Sequence, residues 1–156
     1  MNIKYRKEPM LGAVVYYDLA NGDKFSGIYL GYNQIAYFSE QDSKAYTISP
    51  QDFVTRVARG GSIIYTLSVE DKKYYPDTLE GTALNARQYS YKTLTGINRH
   101  AFIVGCITGK MLQGEVSFSK LENVISKEIF AGMGLFSKKF EWVRWDFDGV
   151  VKNNTY

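Results

Sequence analysis

Residues 13–48 read AVVYYDLANGDKFSGIYLGYNQIAYFSEQDSKAYTI, and this stretch decides the fold. It holds four short runs rich in Val, Ile, Tyr and Phe, each bounded by turn-forming residues. Residues 13–19 predict a strand, and Asn21-Gly22 is the strongest short-range hairpin signal a sequence offers. Residues 24–30 return, Gly31-Tyr32-Asn33 turns, 34–39 form a third strand, and Gln41-Asp42-Ser43 turns again into 44–48. Strands joined by such short connections can only pair as an antiparallel meander, which curls because strands twist.

Working outward, Ser49-Pro50-Gln51-Asp52 carries a helix start, with Ser49 as N-cap, Pro50 in the first helical position and Asp52 in the acid-favouring first turn. Residues 53–59 fit helix or strand, and one helical turn over 50–53 followed by strand satisfies both signals. Gly60-Gly61 then predicts a hairpin into 62–69. Residues 70–86 concentrate charge and turn formers and predict a linker or long loop. Beyond them 87–95, 99–108 and 111–118 predict strands. Ser119-Lys120-Leu121-Glu122 predicts a helix ended by Gly132, and 135–147 predict a closing strand bulged near Trp142-Val143. The expected class is therefore α+β and β-rich: strongly bent small barrel or sheet units with one short and one longer helix. The expected units are 1–69 and 87–156, joined by 70–86 or packed as a single domain. Ser49 and Ser119 open similar patterns in the two halves.

Composition excludes several functions. At 156 residues the chain can bury a core unaided. One Cys excludes a disulfide within the chain, and no Cys/His cluster is present for zinc. His100 is the sole histidine. No phosphate-cradling G-x-x-x-x-G-K-S/T pattern occurs, and Asp146-Phe147-Asp148-Gly149 lacks the downstream ligands of a calcium loop. No apolar run approaches the roughly 20 residues of a membrane span, and residues 1–11 lack a signal-peptide core. The expectation is a soluble cytoplasmic protein with no catalytic residue, metal or cofactor.

Residues 14–38 resemble the first signature of the Sm/LSm family. The pattern is met by Val15, Tyr17, Leu19, Gly22, Phe25, Gly27 and Tyr29, followed by Gly31-Tyr32-Asn33-Gln34. Residues 58–65 (ARGGSIIY) resemble the second signature through Arg59, Gly60 and Ile63. The resemblance covers residues 13–67. Asn33 stands where the family has Asp, and Ile35-Ala36-Tyr37 where it has its Met-Asn pair. The resemblance implies a homo-oligomeric ring binding single-stranded RNA near Asn33, Tyr37 and Arg59.

The net charge of +3 lies wholly in residues 79–156, which hold 10 basic and 7 acidic side chains against 9 and 9 before them. Thirteen tyrosines, nine phenylalanines and two tryptophans supply rings able to finish a sheet or to stack on a ligand. Tyr32 beside its turn, and the interleaved Lys139, Trp142, Arg144 and Trp145, join Asn33, Tyr37 and Arg59 as candidate nucleic-acid contacts. The same aromatics would otherwise fill a core. The expected function is a non-catalytic binder of single-stranded RNA, DNA or a nucleotide. The alternative is a protein–protein interaction module, a subunit or inhibitor of a larger machine.

Overall fold

The computed structural model describes residues 4–57, 63–69, 77–130 and 140–149, leaving aside the side chains of 56 and 57. Its strands are β1 (Tyr5–Arg6), β2 (Val14–Asp18), β3 (Lys24–Gly31), β4 (Gln34–Ser39), β5 (Lys44–Ile48), β6 (Ile64–Val69) and β7 (Phe140–Trp145). The helices are α1 (Pro50–Asp52), α2 (Asp77–Tyr89), α3 (Arg99–Thr108) and α4 (Phe118–Val124). Short π-helical stretches, Phe53–Val57 and Ile125–Ile129, prolong α1 and α4. The protein is thus α+β, with one mixed sheet in the order β1-β7-β6-β2-β3-β4-β5. Among the described strands only the β1–β7 pair is parallel.

The meander β2–β5 forms where the turn residues require it. Gly22 adopts φ +88° in the first turn, and Tyr32 and Asn33 take φ +51° and +56° in the second. Alternation along the strands then sends side chains to opposite faces. Val14, Ile28, Ala36, Phe38 and Leu67 face α2, α3 and α4 and meet Leu79, Phe102 and Leu121. Val15, Tyr17, Tyr29, Ile35, Ile64 and Trp145 face the other way and close around Phe53. Strands β3 and β7 are three places apart, about 14 Å at the usual spacing. The rings of Tyr29 and Trp145 nevertheless lie 5.1 Å apart. The sheet is therefore coiled tightly about this second face. It remains open, with β1 and β5 at its edges and no pairing between them among the described residues.

Several elements differ from the sequence expectations. Residues 53–57 stay helical after Ser49 caps α1 through Asp52 N, and this seats Phe53 edge-on against Tyr17 and Phe25 in the concave core. The linker expected over 70–86 becomes α2 from residue 77. Leu79, Thr82, Ala83 and Ala86 form its buried stripe, and its backbone sits so close to Gly12 that a Cβ there would fall 1.8 Å from the Leu79 carbonyl oxygen.

Residues 99–108 are a helix, not a strand. Asn98 accepts from Ala101 N at one end, and Gly109 ends the helix in the left-handed region at φ +80°. Six of its ten residues are buried, too many for either periodicity to show. Residues 90–98 and 110–117 are irregular rather than strands, with single bridges Lys44↔Thr93 and Ile97↔Gly114. Ser117, not Ser119, caps α4. The register from Ile64↔Trp145 to Val69↔Phe140 is unbroken, so β7 has no bulge at Trp142-Val143. The irregularity lies between Tyr29 and Gly31 instead. The turn expected at Gly60-Gly61 and the stop at Gly132 lie outside the described residues. Both halves of the chain share the sheet, since β7 lies between β1 and β6.

Leu79 is fully buried between α2 and the sheet. Leu79→Ala is expected to lower unfolding free energy by about 2–5 kcal/mol. A urea titration showing a loss below about 1 kcal/mol would mean that α2 is not docked as described.

Candidate ligand groove beside a left-handed tyrosine turn

The turn from β3 to β4 needs two left-handed central residues, a geometry suited to Gly or Asn. Here three consecutive residues adopt it: Gly31 at φ +86°, Tyr32 at +51° and Asn33 at +56°. A bulky side chain there costs about 1–3 kcal/mol. Buttresses on two sides hold the turn. Tyr29, buried beneath it, accepts from Asn33 N at 3.4 Å and donates to the Glu8 carboxylate at 2.7 Å. Burial and that bond to Glu8 push the Tyr29 hydroxyl up to about 12, so it remains a donor at ordinary pH. From α2, the Arg87 guanidinium donates to the Leu30 carbonyl. No packing rewards Tyr32 itself, whose ring is 95% exposed.

Tyr91 repeats the pattern just past α2. It sits at φ +65° and is 59% exposed. Its amide donates to the Ala45 carbonyl, its hydroxyl meets Thr47 Oγ1 at 2.9 Å, and its ring stands edge-on to Tyr46. Tyr32 and Tyr91 border one cleft of about 430 Å³, together with Leu30, Gly31, Gln34, Thr47, Arg87 and Ser90. A second cleft of about 570 Å³ lies on the other side of the turn and adds Lys7, Glu8, Leu11, Tyr29 and Asn33. The two meet at Leu30, Gly31, Tyr32 and Arg87, making a groove that wraps the turn. Among the described residues no carboxylate pairs with Arg87 or Lys7. The groove therefore combines two exposed rings, two cations and several amide or hydroxyl groups.

Of the residues singled out from the sequence, Tyr32 and Asn33 lie in this groove. Tyr37 is half-buried on the concave face against Phe25, Phe53 and Tyr46. Trp142 points to the helix side, donates to Glu122 at 3.0 Å and stands edge-on to Tyr16. Arg144 is half-buried on β7 between Tyr5 of β1 and Tyr65 of β6. Trp145 is 1% exposed and donates to the Lys7 carbonyl, leaving no ring face for a base to stack on. Arg59 and Lys139 lie outside the described residues. Arg87 and Tyr91 were not singled out. The pairing of Asp77 and Glu80 early with Arg87 late, which complements a helix dipole, was the available signal.

A second polar cluster lies under the helix side of the sheet. Ser26 Oγ and His100 Nδ1 are 2.7 Å apart, and His100 Nε2 lies 3.8 Å from Asp23. Serine, histidine and carboxylate in sequence suggest acyl transfer, but Ser26 is 0% exposed and no substrate carbonyl can approach it. Arg99 ties the cluster down, binding Asp23 and Glu40 and donating to the Lys24 carbonyl. Burial, then the Arg99 cation, depress His100 to about 4 against the weaker opposing pull of Asp23 and Glu40. Cys106 is buried too, and burial pushes its thiol up. Among the described residues no group of three or more His, Cys, Asp or Glu could hold a metal, and no helix is long and apolar enough to cross a membrane.

No protein-family model matches the chain, and neither a curated protein nor a solved structure shows significant similarity to it.

His100 gives a pH test of the buried cluster. Between its unfolded value near 6.5 and its folded value of about 4, the unfolded chain binds a proton that the folded chain does not. Stability therefore falls with pH across that window, by about 2 kcal/mol from pH 7 to pH 5. The lowered carboxylate of Asp23 adds its own loss only at lower pH, as the solution approaches the ordinary carboxylate range. Chemical denaturation at both pH values should show the slope in the parent and its absence in His100→Gln. An equal slope in both would place the proton uptake elsewhere.

Proposed function

We propose that the chain is a non-catalytic binding protein whose groove takes single-stranded nucleic acid or a nucleotide. A base stacks on Tyr32 and a phosphate sits against Arg87. The observation that carries this reading is the left-handed Tyr32, 95% exposed at the rim of a groove containing an Arg with no carboxylate partner among the described residues. Local strain of this kind concentrates at sites of function. Base–aromatic stacking contributes about 1–3 kcal/mol per base, and the guanidinium fork suits phosphate oxygens. Asn33, Gln34 and Tyr91 supply hydrogen-bonding groups for the base or sugar. The Sm-like stretch supports the same turn as the contact region, and it carries the expectation of a homo-oligomer. At the β5 edge, segment 91–94 pairs with Ser43–Ala45, and a second copy would add a strand beside Tyr46–Ile48. In size-exclusion light scattering with absorbance at 260 and 280 nm, a ring-sized oligomer supports that assembly and a monomer counts against it.

A protein-interaction module is the second reading, favoured by the half-exposed aromatic group of Tyr65, Phe118 and Trp142 around Tyr16.

Tyr32→Gly separates the binding role from the structural one. Glycine suits φ +51°, so stability should rise by about 1 kcal/mol. Affinity for a labelled single-stranded oligonucleotide should fall about 5- to 100-fold in fluorescence anisotropy. Unchanged affinity in a stabilised variant would defeat the proposal.

A further inference from the structure

We infer that the groove is built for a ligand of one or two nucleotide units and not for a threaded strand. The inference rests on the binding role just proposed and concerns what that groove can hold.

Charge sets the first limit. Arg87 serves both clefts, and Lys7 joins it only on the far side of the turn. No other described cation lines either cleft, and several are engaged elsewhere. Lys24 binds Asp18 at 2.5 Å and lies over the rings of Tyr16 and Phe118. Arg99 is clamped by Asp23 and Glu40, and Lys4 by Glu141. Two cations match one or two phosphates.

Glu8 sets the second limit. Its carboxylate is fixed in the far cleft by the 2.7 Å bond from Tyr29. A phosphate chain running past Lys7 would meet this fixed negative charge, and like charges at short range repel. Clefts of about 430 and 570 Å³ are also each in the range of small-ligand pockets, roughly 300–1,000 Å³. The ligand chemistry is therefore an aromatic base carrying one or two phosphates. Its source is a free nucleotide, a dinucleotide or the end of a strand.

Affinity against length tests this, using the full chain with adenosine monophosphate, a diadenylate, and tetra- and octa-adenylates, each at 50 and 200 mM salt. Affinity should rise from one unit to two and then stay within about threefold up to eight. The slope of log K against log salt should not exceed about −1.4, the value for two phosphates on a single strand. A further tenfold gain between the dimer and the octamer, or a slope beyond about −3, would overturn the inference while leaving the nucleic-acid reading intact. No binding at any length would remove both. Glu8→Gln supplies the second arm: it should strengthen octamer binding at least threefold more than it changes mononucleotide binding. An equal effect on both ligands would overturn the role given to Glu8. A 5′-phosphorylated octamer bound as tightly as the diadenylate would support the inference with a strand end as the ligand.

Discussion

Burial of β2 and β3 on both faces is the constraint on which the other features depend. Val14 and Ile28 face the helices, while Val15 and Tyr29 face the concave core. A one-residue slip would exchange the two faces, and because each face meets a different core, burial on both sides fixes register and pleat together. Coiling of the sheet follows from the need to cover the second face with few residues. Phe53 from the α1 extension and Trp145 from β7 do so by approaching Tyr17 and Tyr29. Coiling shortens the distance between them, and large rings then fill the space.

Tyr29 connects this core to the groove. Its ring is part of the concave cluster, whereas its hydroxyl lies between Glu8 and the amide of Asn33. The turn that displays Tyr32 is thus anchored to the buried concave core, and Arg87 anchors it from the helix side. An unsupported turn with three left-handed residues would relax or exchange conformations. With both anchors the backbone strain is held in place, so the turn is already ordered in the free chain.

The meander was legible because its signals agree: period-two alternation, β-rich composition and turn residues at the right spacing all indicate the same strands. Helices α2 and α3 were not, for opposite reasons. The buried stripe of α2 consists of Leu79, Thr82 and two alanines, too weak to stand out among its charges, while α3 is apolar around most of its circumference. The capping residues Asn98 and Gly109 did mark the ends of α3, but the neighbouring glycines suggested a strand between turns. For the site, Tyr32 and Asn33 were legible as a turn carrying an aromatic. Arg87 and Tyr91 join them only through the packing of α2 on β3, a tertiary fact with no local signature. Trp145 shows the converse limit: a strand sequence gives two faces and does not say which of them a coiled sheet will cover.

The polar clusters at His100 and at Tyr32 divide along the same line between satisfied and unsatisfied groups. In the Ser26–His100–Asp23–Arg99 cluster Ser26 and His100 are buried, Asp23 and Arg99 bind each other at the rim and almost every donor is matched, so its chemistry is spent inside the fold. Its one unmatched buried atom, His100 Nε2, faces an acid of the same cluster. Around Tyr32 the balance is reversed. The backbone carries strain, an aromatic ring is left in water, and a guanidinium finds a carbonyl rather than a carboxylate. The strained backbone and the exposed ring do not stabilise the folded chain, and Arg87, while it anchors the turn, keeps a charge that no described carboxylate neutralises. Their convergence at one groove is the physical ground for placing function there rather than at the better-formed cluster beneath the helices.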